Sequence, residues 1–182
     1  MMHLRNRLPI AAAAIFASMS LGASASAAEN LNVINFKSKV GSFKLLGTDK
    51  PAKGALEFEF TGTVLVSGLS SGSVTASGNL REEYDNPKYK KKVFHGSGKL
   101  VITGEFNAVQ FFGKNVSGRY TGVGIFRFYG EFDKDLNTGT YWYDGGEPVD
   151  WGTGGAQATV PGFNRESLRR RPEPTVKIKG GA

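Results

Sequence analysis

The densest cluster of side chains that could bind a ligand lies towards the C-terminal end of the sequence. It combines tyrosine and tryptophan rings with carboxylates, and both tryptophans of the chain belong to it. Its members are Tyr141, Trp142, Tyr143, Asp144, Glu147 and Trp151. Sugars are bound by such combinations, because an aromatic face stacks on the sugar ring while carboxylates bond to its hydroxyls. The cluster therefore predicts a site for a carbohydrate or another small molecule, with packing in or over the core as the alternative.

A second pattern could bind calcium. Asp133, Asp135 and Asn137 place oxygen atoms at alternate positions, and Gly139 follows them. An EF-hand loop, however, has its glycine at the sixth position and lies between two helices. A hairpin turn explains the same residues, since Asp and Asn tolerate the left-handed backbone region. Calcium thus stands as an alternative to a simple turn, and no other cofactor is expected.

Few residues could serve enzymatic catalysis. The chain has no cysteine and only two histidines, His3 and His95, which excludes thiol nucleophiles and metal centres rich in Cys or His. His95 has neither a nearby acid in the sequence nor a nucleophile motif beside it. A glycosidase would need a carboxylate pair, and the strand alternation places the candidate glutamates on solvated faces. These candidates are Glu57, Glu59, Glu105 and Glu131.

Residues 1–28 have the pattern of a secretory signal peptide. Arg5 and Arg7 precede an apolar run from Ile10 to Leu21, and the small residues 25–27 form a cleavage motif. The apolar run is too short to span a bilayer as a helix. Because an alanine-rich leader is typical of bacterial export, we expect the mature chain in the periplasm or outside the cell.

Much of the net charge of +7 lies in the C-terminal segment 162–182. Its acidic residues are Glu166 and Glu173, and its basic ones are Arg165, Arg169, Arg170, Arg171, Lys177 and Lys179. This composition, with two prolines, predicts a flexible basic tail that could bind an anionic envelope polymer. A folded basic face with stacking or base-reading groups is missing, so we expect no nucleic-acid partner.

Residues 29–161 are predicted to form one antiparallel all-β domain. Apolar and polar residues alternate over 55–66, 99–106 and 125–132, as in strands with one solvated face. Their apolar sides contain the residues that we expect in the core: Phe58, Phe60, Leu100, Ile102, Phe126 and Phe128. Shorter strands are predicted at 31–36, 42–46, 73–82, 91–95, 108–112, 116–121 and 140–143.

Glycines interrupt the apolar faces of these strands. Gly62, Gly104 and Gly130 fall in phase with the buried residues. Such positions weaken a flat sheet but allow a sheet to coil sharply. The pattern favours a single antiparallel β-barrel of about eight strands, with a two-sheet β-sandwich as the alternative. A repeat relates residues 95–106 to residues 121–132, and it predicts a hairpin-sized unit of a meander.

The sequence as a whole predicts an exported, non-enzymatic β-barrel binding or structural module of the bacterial envelope or exterior. A sugar or a small apolar ligand would bind at the open end near the aromatic cluster or inside the barrel. Two alternatives stay open at this point. One is an enzyme that uses carboxylates or Tyr and Arg groups in a barrel cavity, and the other is a small outer-membrane barrel. The oligomeric state is left open as well.

Overall fold

The computed structural model describes residues 30–130, 139–152 and 154–162. The signal peptide, the residues of the calcium pattern and the tail from 163 onwards lie outside the described residues. Within the described ranges the chain forms nine strands, and no helix there is long and apolar enough to cross a membrane. The strands are β1 (Asn30–Leu46), β2 (Ala52–Ser67), β3 (Ser71–Gly78), β4 (Arg81–Asn86), β5 (Lys91–Phe106), β6 (Ala108–Tyr129), β7 (Thr140–Asp144), β8 (Val149–Asp150) and β9 (Ala156–Val160).

All strand pairs are antiparallel and belong to one sheet, in the order β3-β5-β2-β6-β1-β7-β8, which confirms the prediction of an antiparallel all-β fold. Strand β4 also pairs with β5, and β9 also pairs with β6. Among the described residues no pairing joins β3 or β4 to β8 or β9, so hydrogen bonds do not close the sheet there.

The apolar face of the sheet is filled by aromatic rings. The ring of Phe43 lies at the centre, with ring centroids of five other phenylalanines at 5.0–6.5 Å. These neighbours are Phe36, Phe58, Phe111, Phe126 and Phe128. All six phenylalanine, leucine and isoleucine residues that the alternation assigns to the core are buried, which confirms the predicted register.

Strand β2 is strongly coiled. Phe106 pairs with Ala52 at one end of β2, while the amide of Asn107 donates to the carbonyl of Ser67 at the other end, at 2.9 Å. Two consecutive residues thus touch both ends of a strand of 16 residues, which would span about 50 Å if it were straight. The strand must curve back on itself to bring its ends this close together.

Glycines in register across the sheet make this curvature sterically feasible. Gly62 of β2 lies opposite Gly96 of β5 and Gly113 of β6, and Gly113 lies opposite Gly41 of β1. A Cβ atom on Gly62 would overlap the carbonyl oxygen of Phe112 on the neighbouring strand. The close backbone approach therefore requires glycine at this position.

Strand β6 is longer than the sequence pattern indicates. The separate strands predicted at 108–112, 116–121 and 125–132 are one strand of 22 residues as far as Tyr129, and the strands predicted at 31–36 and 42–46 are both parts of β1. Glycines and a bulge at Asn115, which has a φ of 52°, interrupt the alternation without ending the strand. Strand β6 curves so far that Phe43 of β1 pairs with Phe111 on one side and with Phe128 on the other.

The expectation that the sequence repeat is a hairpin-sized unit is wrong. Its two copies lie on β5 and on the later part of β6, and β2 separates these strands. Both β5 and β6 run antiparallel to β2, one on each side of it. Gly104 and Gly122 both lie opposite Gly54, but they are not equivalent positions of the repeat, since Gly122 corresponds to Gly96.

Candidate functional site

Strand β7 divides the predicted aromatic and acidic cluster between the two faces of the sheet. Tyr141 and Tyr143 pack against the core. The ring of Tyr141 stacks on Phe128 with a centroid distance of 5.2 Å, and the Tyr143 hydroxyl donates to the carbonyl oxygen of Thr159. Because successive side chains of a strand point to opposite faces, Trp142 lies on the polar side.

Trp151 belongs to the core. Its side chain is only 1% exposed, and its ring stacks on Phe128 at 4.7 Å. Its backbone amide donates to the carbonyl oxygen of Gly139 at 2.9 Å, which holds the chain after β8 against the start of β7. Glu147, in contrast, is exposed in the turn that follows β7. The structure therefore does not bring Trp151 and Glu147 together with Trp142.

Asp144 is held by two partners from other strands. Its Oδ1 atom accepts a hydrogen bond from Asn35 Nδ2 at 2.6 Å, and its Oδ2 atom accepts one from an Arg119 guanidinium nitrogen at 2.7 Å. Asn35 of β1 lies opposite Arg119 of β6 on one side and opposite Trp142 of β7 on the other. We call Trp142, Asn35, Arg119 and Asp144 the Trp142 surface.

A cleft of about 520 Å³ opens beside these residues on the polar face. Its far side is formed by Glu57 and Glu59 of β2 and by Lys99 of β5. Lys99 forms an ion pair with Glu57. The hydrogen bond that the Lys99 amine donates to this carboxylate, together with the negative charge of the carboxylate, raises the pKa of Lys99 and keeps the amine cationic.

The indole of Trp142 has one cationic neighbour. The Nζ atom of Lys37 lies 5.9 Å from the centroid of the ring, within the range of a cation–π contact. Lys37 is exposed, and such contacts contribute only about 0.5–1 kcal/mol at exposed sites. A ligand that stacks on the indole could therefore displace the lysine at little cost.

The Trp142 surface combines a flat apolar ring with groups that donate and accept hydrogen bonds. The amide of Asn35 does both, the guanidinium of Arg119 only donates, and the carboxylate of Asp144 only accepts. A sugar presents apolar C–H faces and hydroxyls that both donate and accept. The arrangement therefore matches a polyhydroxylated ring, whereas it lacks a nucleophile with a base in contact with it.

Sequence reasoning missed Asn35 and Arg119. The alternation places both residues on solvated strand faces. Neither lies near Asp144 in the sequence, so the sequence gives no indication that they contact it. The register of β1 with β6 and β7 brings the three residues together. Without strand pairing, no local pattern in the sequence points to this group.

The other candidate catalytic residues do not assemble into a site in the described part of the chain. The Nδ1 atom of His95 hydrogen-bonds to the Thr63 hydroxyl at 2.8 Å. The Glu105 carboxylate forms a surface ion pair with Lys53 at 3.1 Å. No group of three or more His, Asp or Glu residues that could hold a metal occurs among the described residues. Glu131 and the calcium pattern of Asp133, Asp135 and Asn137 lie outside the described ranges.

Comparison with protein-family models, with curated proteins and with solved structures found no match.

Proposed function

We propose that the protein is an exported, non-enzymatic binding module of the bacterial envelope or exterior, and that it binds a carbohydrate at the Trp142 surface. The observation that carries this proposal is the Trp142 ring beside the hydrogen-bonded group of Asn35, Asp144 and Arg119, in an open cleft. The group is pre-organised, because Asp144 already holds both partners in place. Pre-organisation lowers the entropy cost of binding a ligand with several hydroxyls.

The aromatic interior favours an outer site over an apolar ligand inside the fold. The rings around Phe43 contact one another at distances typical of packed aromatic pairs. An apolar ligand would have to displace these rings, at the cost of their packing. The polar face needs no such rearrangement.

The proposal is tested with the mature chain and a panel of neutral and acidic oligosaccharides, with binding measured by calorimetry. We expect at least one oligosaccharide to bind, and Trp142→Ala to weaken that binding about tenfold or more, which corresponds to about 1.4 kcal/mol. Trp142→Phe should retain part of the affinity, since it keeps a flat ring. Tyr89→Ala is the matched control, because Tyr89 is 60% exposed in the hairpin between β4 and β5.

Two results would overturn the proposal. One is the absence of binding to the whole panel by a folded wild-type protein. The other is a Trp142→Ala variant that binds as tightly as the wild type. The thermal unfolding midpoint of each variant shows whether a loss of binding is merely a loss of fold.

We also propose that the coiled sheet forms a barrel of about eight strands. The nearness of the two ends of β2 and the position of β6 on both sides of β1 support it. Coiling of this degree brings the edge strands of a sheet towards each other. A crystal structure with one core surrounded by all strands is the expected outcome, and two stacked sheets would contradict it.

Export and the tail are further parts of the proposal. A mature chain that begins near Ala28 or Glu29 is expected from the leader pattern, and the intact mass of protein recovered from its host measures where it begins. A retained leader in the periplasmic fraction would contradict export. Removal of residues 165–182 should weaken binding to lipopolysaccharide at low salt, because Arg and Lys charges attract anionic polymers. It should leave the unfolding midpoint almost unchanged.

A further inference from the structure

A groove crosses the polar face along the row of glycines in the middle of the sheet. Gly96, Gly62, Gly113 and Gly41 form this row on the adjacent strands β5, β2, β6 and β1. A cleft of about 730 Å³ over β5, β2 and β6 continues into one of about 230 Å³ over β6 and β1. The two clefts share Val40 and Gly113, and we call them together the glycine groove.

Two exposed aromatic rings lie at one end of the glycine groove. Phe112 is 57% exposed and Tyr129 is 48% exposed. Both residues lie opposite Ser42 of β1, on its two sides, because β6 curves around this strand. Since the next residue, Phe43, is in the core, Ser42 and its two partners face the polar side. The pair therefore offers two ring surfaces with a hydroxyl between them.

The larger cleft of the groove has cationic side chains from β4 and β6 in its lining. Arg81, Lys114 and His95 line the larger cleft, together with Glu83. Neither Arg81 nor Lys114 forms an ion pair with a described residue, whereas Arg119, Lys53, Lys92 and Lys99 all do. The His95 ring uses Nδ1 to bond to Thr63. Arg81 and Lys114 outweigh the carboxylate of Glu83 in the lining of this cleft, and the positive balance favours a ligand that carries negative charge.

We propose that the glycine groove is a second binding site, and that it takes a sugar residue bearing a carboxylate. Phe112 and Tyr129 would contact the apolar sides of the saccharide, while Arg81 and Lys114, which lie on β4 and β6 with β5 and β2 between them, would bind carboxylates of an acidic saccharide. Arg is suited to this because its planar fork donates two parallel hydrogen bonds to a carboxylate. Aromatic rings alone would accept a neutral sugar, so the two cations are what select the acidic one.

The glycine groove and the Trp142 surface belong to one continuous band of the polar face. A cleft of about 510 Å³ between them shares Glu59 and Lys99 with the Trp142 cleft, and Thr61 and Ser97 with the groove. Glu57 and Gly62 are five residues apart on β2, or about 17 Å along the strand. An acidic oligosaccharide could thus contact both sites. This inference takes the ligand class from the proposed function, but the groove residues are its own.

The test uses oligomers of galacturonic, glucuronic and mannuronic acid, each together with its neutral carboxyl methyl ester. Binding to the full mature chain is measured by calorimetry at low salt. We expect at least one acid to bind about tenfold more tightly than its ester, and the variant with Arg81→Gln and Lys114→Gln to bind the acid and the ester with similar affinity. Phe112→Ala should weaken binding of both forms. Lys50→Gln and Tyr89→Ala are matched controls on exposed residues away from the groove.

Equal affinity for every acid and its ester would overturn the inference, and so would a preference that survives in the double variant. Failure of the proposed function looks different. Trp142→Ala would then bind like the wild type, while Arg81→Gln and Lys114→Gln still remove the preference for the acid. If Trp142→Ala weakens binding and the double variant keeps the preference, the Trp142 site stands and the groove does not. No binding to any of these oligomers would overturn the inference, whereas the proposed function falls only if the whole panel of neutral and acidic oligosaccharides also fails to bind.

Discussion

Trp142 and Trp151 lie on opposite faces of the same sheet. Trp142 lines the cleft on the polar face, with Lys37 over its ring. Trp151 is 1% exposed and stacks on Phe128. Residues that form one cluster in the sequence thus serve two purposes, since one tryptophan stabilises the core and the other is accessible to a ligand. Because the chain has no other tryptophan, fluorescence can report on each one separately.

Single-tryptophan variants should therefore differ in their accessibility to a quencher. Trp142→Phe leaves only Trp151, and its emission should lie at shorter wavelength and resist quenching by acrylamide, because the indole is shielded from water. Trp151→Phe leaves only Trp142, which acrylamide should quench readily. Equal quenching of the two folded variants would contradict the placement of these residues.

A phenylalanine from each face tests the register of β6. Phe128→Ala should lower the free energy of unfolding by about 3–5 kcal/mol, because the ring is 1% exposed and stacks on Phe126, Tyr141 and Trp151. Phe112→Ala, on the exposed face of the same strand, should cost less than about 1 kcal/mol. Urea unfolding curves measure both values, and similar costs for the two variants would mean that the register is wrong.

Alternation predicts which side of a strand is buried, but it does not predict where a curved strand ends. Phe58, Leu100 and Phe126 are buried as expected, because one face of each strand must leave water. Glycines such as Gly113 and Gly122 resemble strand ends in the sequence. In the structure they are points where β6 bends and continues, since their partners on β2 are also glycines and the backbones can approach closely.

The candidate site could be predicted only in part, and the reason is strand register. Trp142 and Asp144 are two residues apart in the sequence cluster, and the alternation of β7 therefore places them on one face. Asn35 and Arg119 reach Asp144 only through pairing with strands that are distant in the sequence. Phe112 and Tyr129 are neighbours across Ser42 only because β6 curves around β1. Long-range pairing of this kind leaves no local signal.

The glycine row should tolerate substitution far less well than glycines in turns. Gly62→Ala places a Cβ atom against the carbonyl oxygen of Phe112, so β2 and β6 would have to separate. We expect a loss of more than about 2 kcal/mol, or no folding at all. Gly154→Ala is the matched control, since a Cβ atom there meets nothing within 4 Å. Thermal unfolding midpoints compare the two, and a Gly62→Ala variant as stable as Gly154→Ala would show that the strands approach less closely.

The hydroxyl of Tyr120 ties the bend of β6 to the start of β2. Its Oη atom lies 2.8 Å from the carbonyl oxygen of Val123 and 3.0 Å from that of Lys53, so the O–H group can donate to either. The ring is fully buried. Burial raises the pKa of Tyr120 well above its ordinary value of 10.0.

The raised pKa of Tyr120 predicts a loss of stability in alkali. The unfolded chain gives up this proton above pH 10, whereas the folded chain keeps it, so the contribution is complete below pH 10 and is lost as the pH rises towards the folded-state pKa. The free energy of unfolding should therefore fall by up to about 1.4 kcal/mol per pH unit above pH 10. Tyr120→Phe should lower the free energy of unfolding by about 0.5–1.5 kcal/mol at neutral pH and should flatten this slope.

Tyr89→Phe, at a residue 60% exposed, should keep the wild-type profile. Urea unfolding at a series of pH values measures the slopes, and a Tyr120→Phe variant with the wild-type slope would assign the alkaline loss to another group.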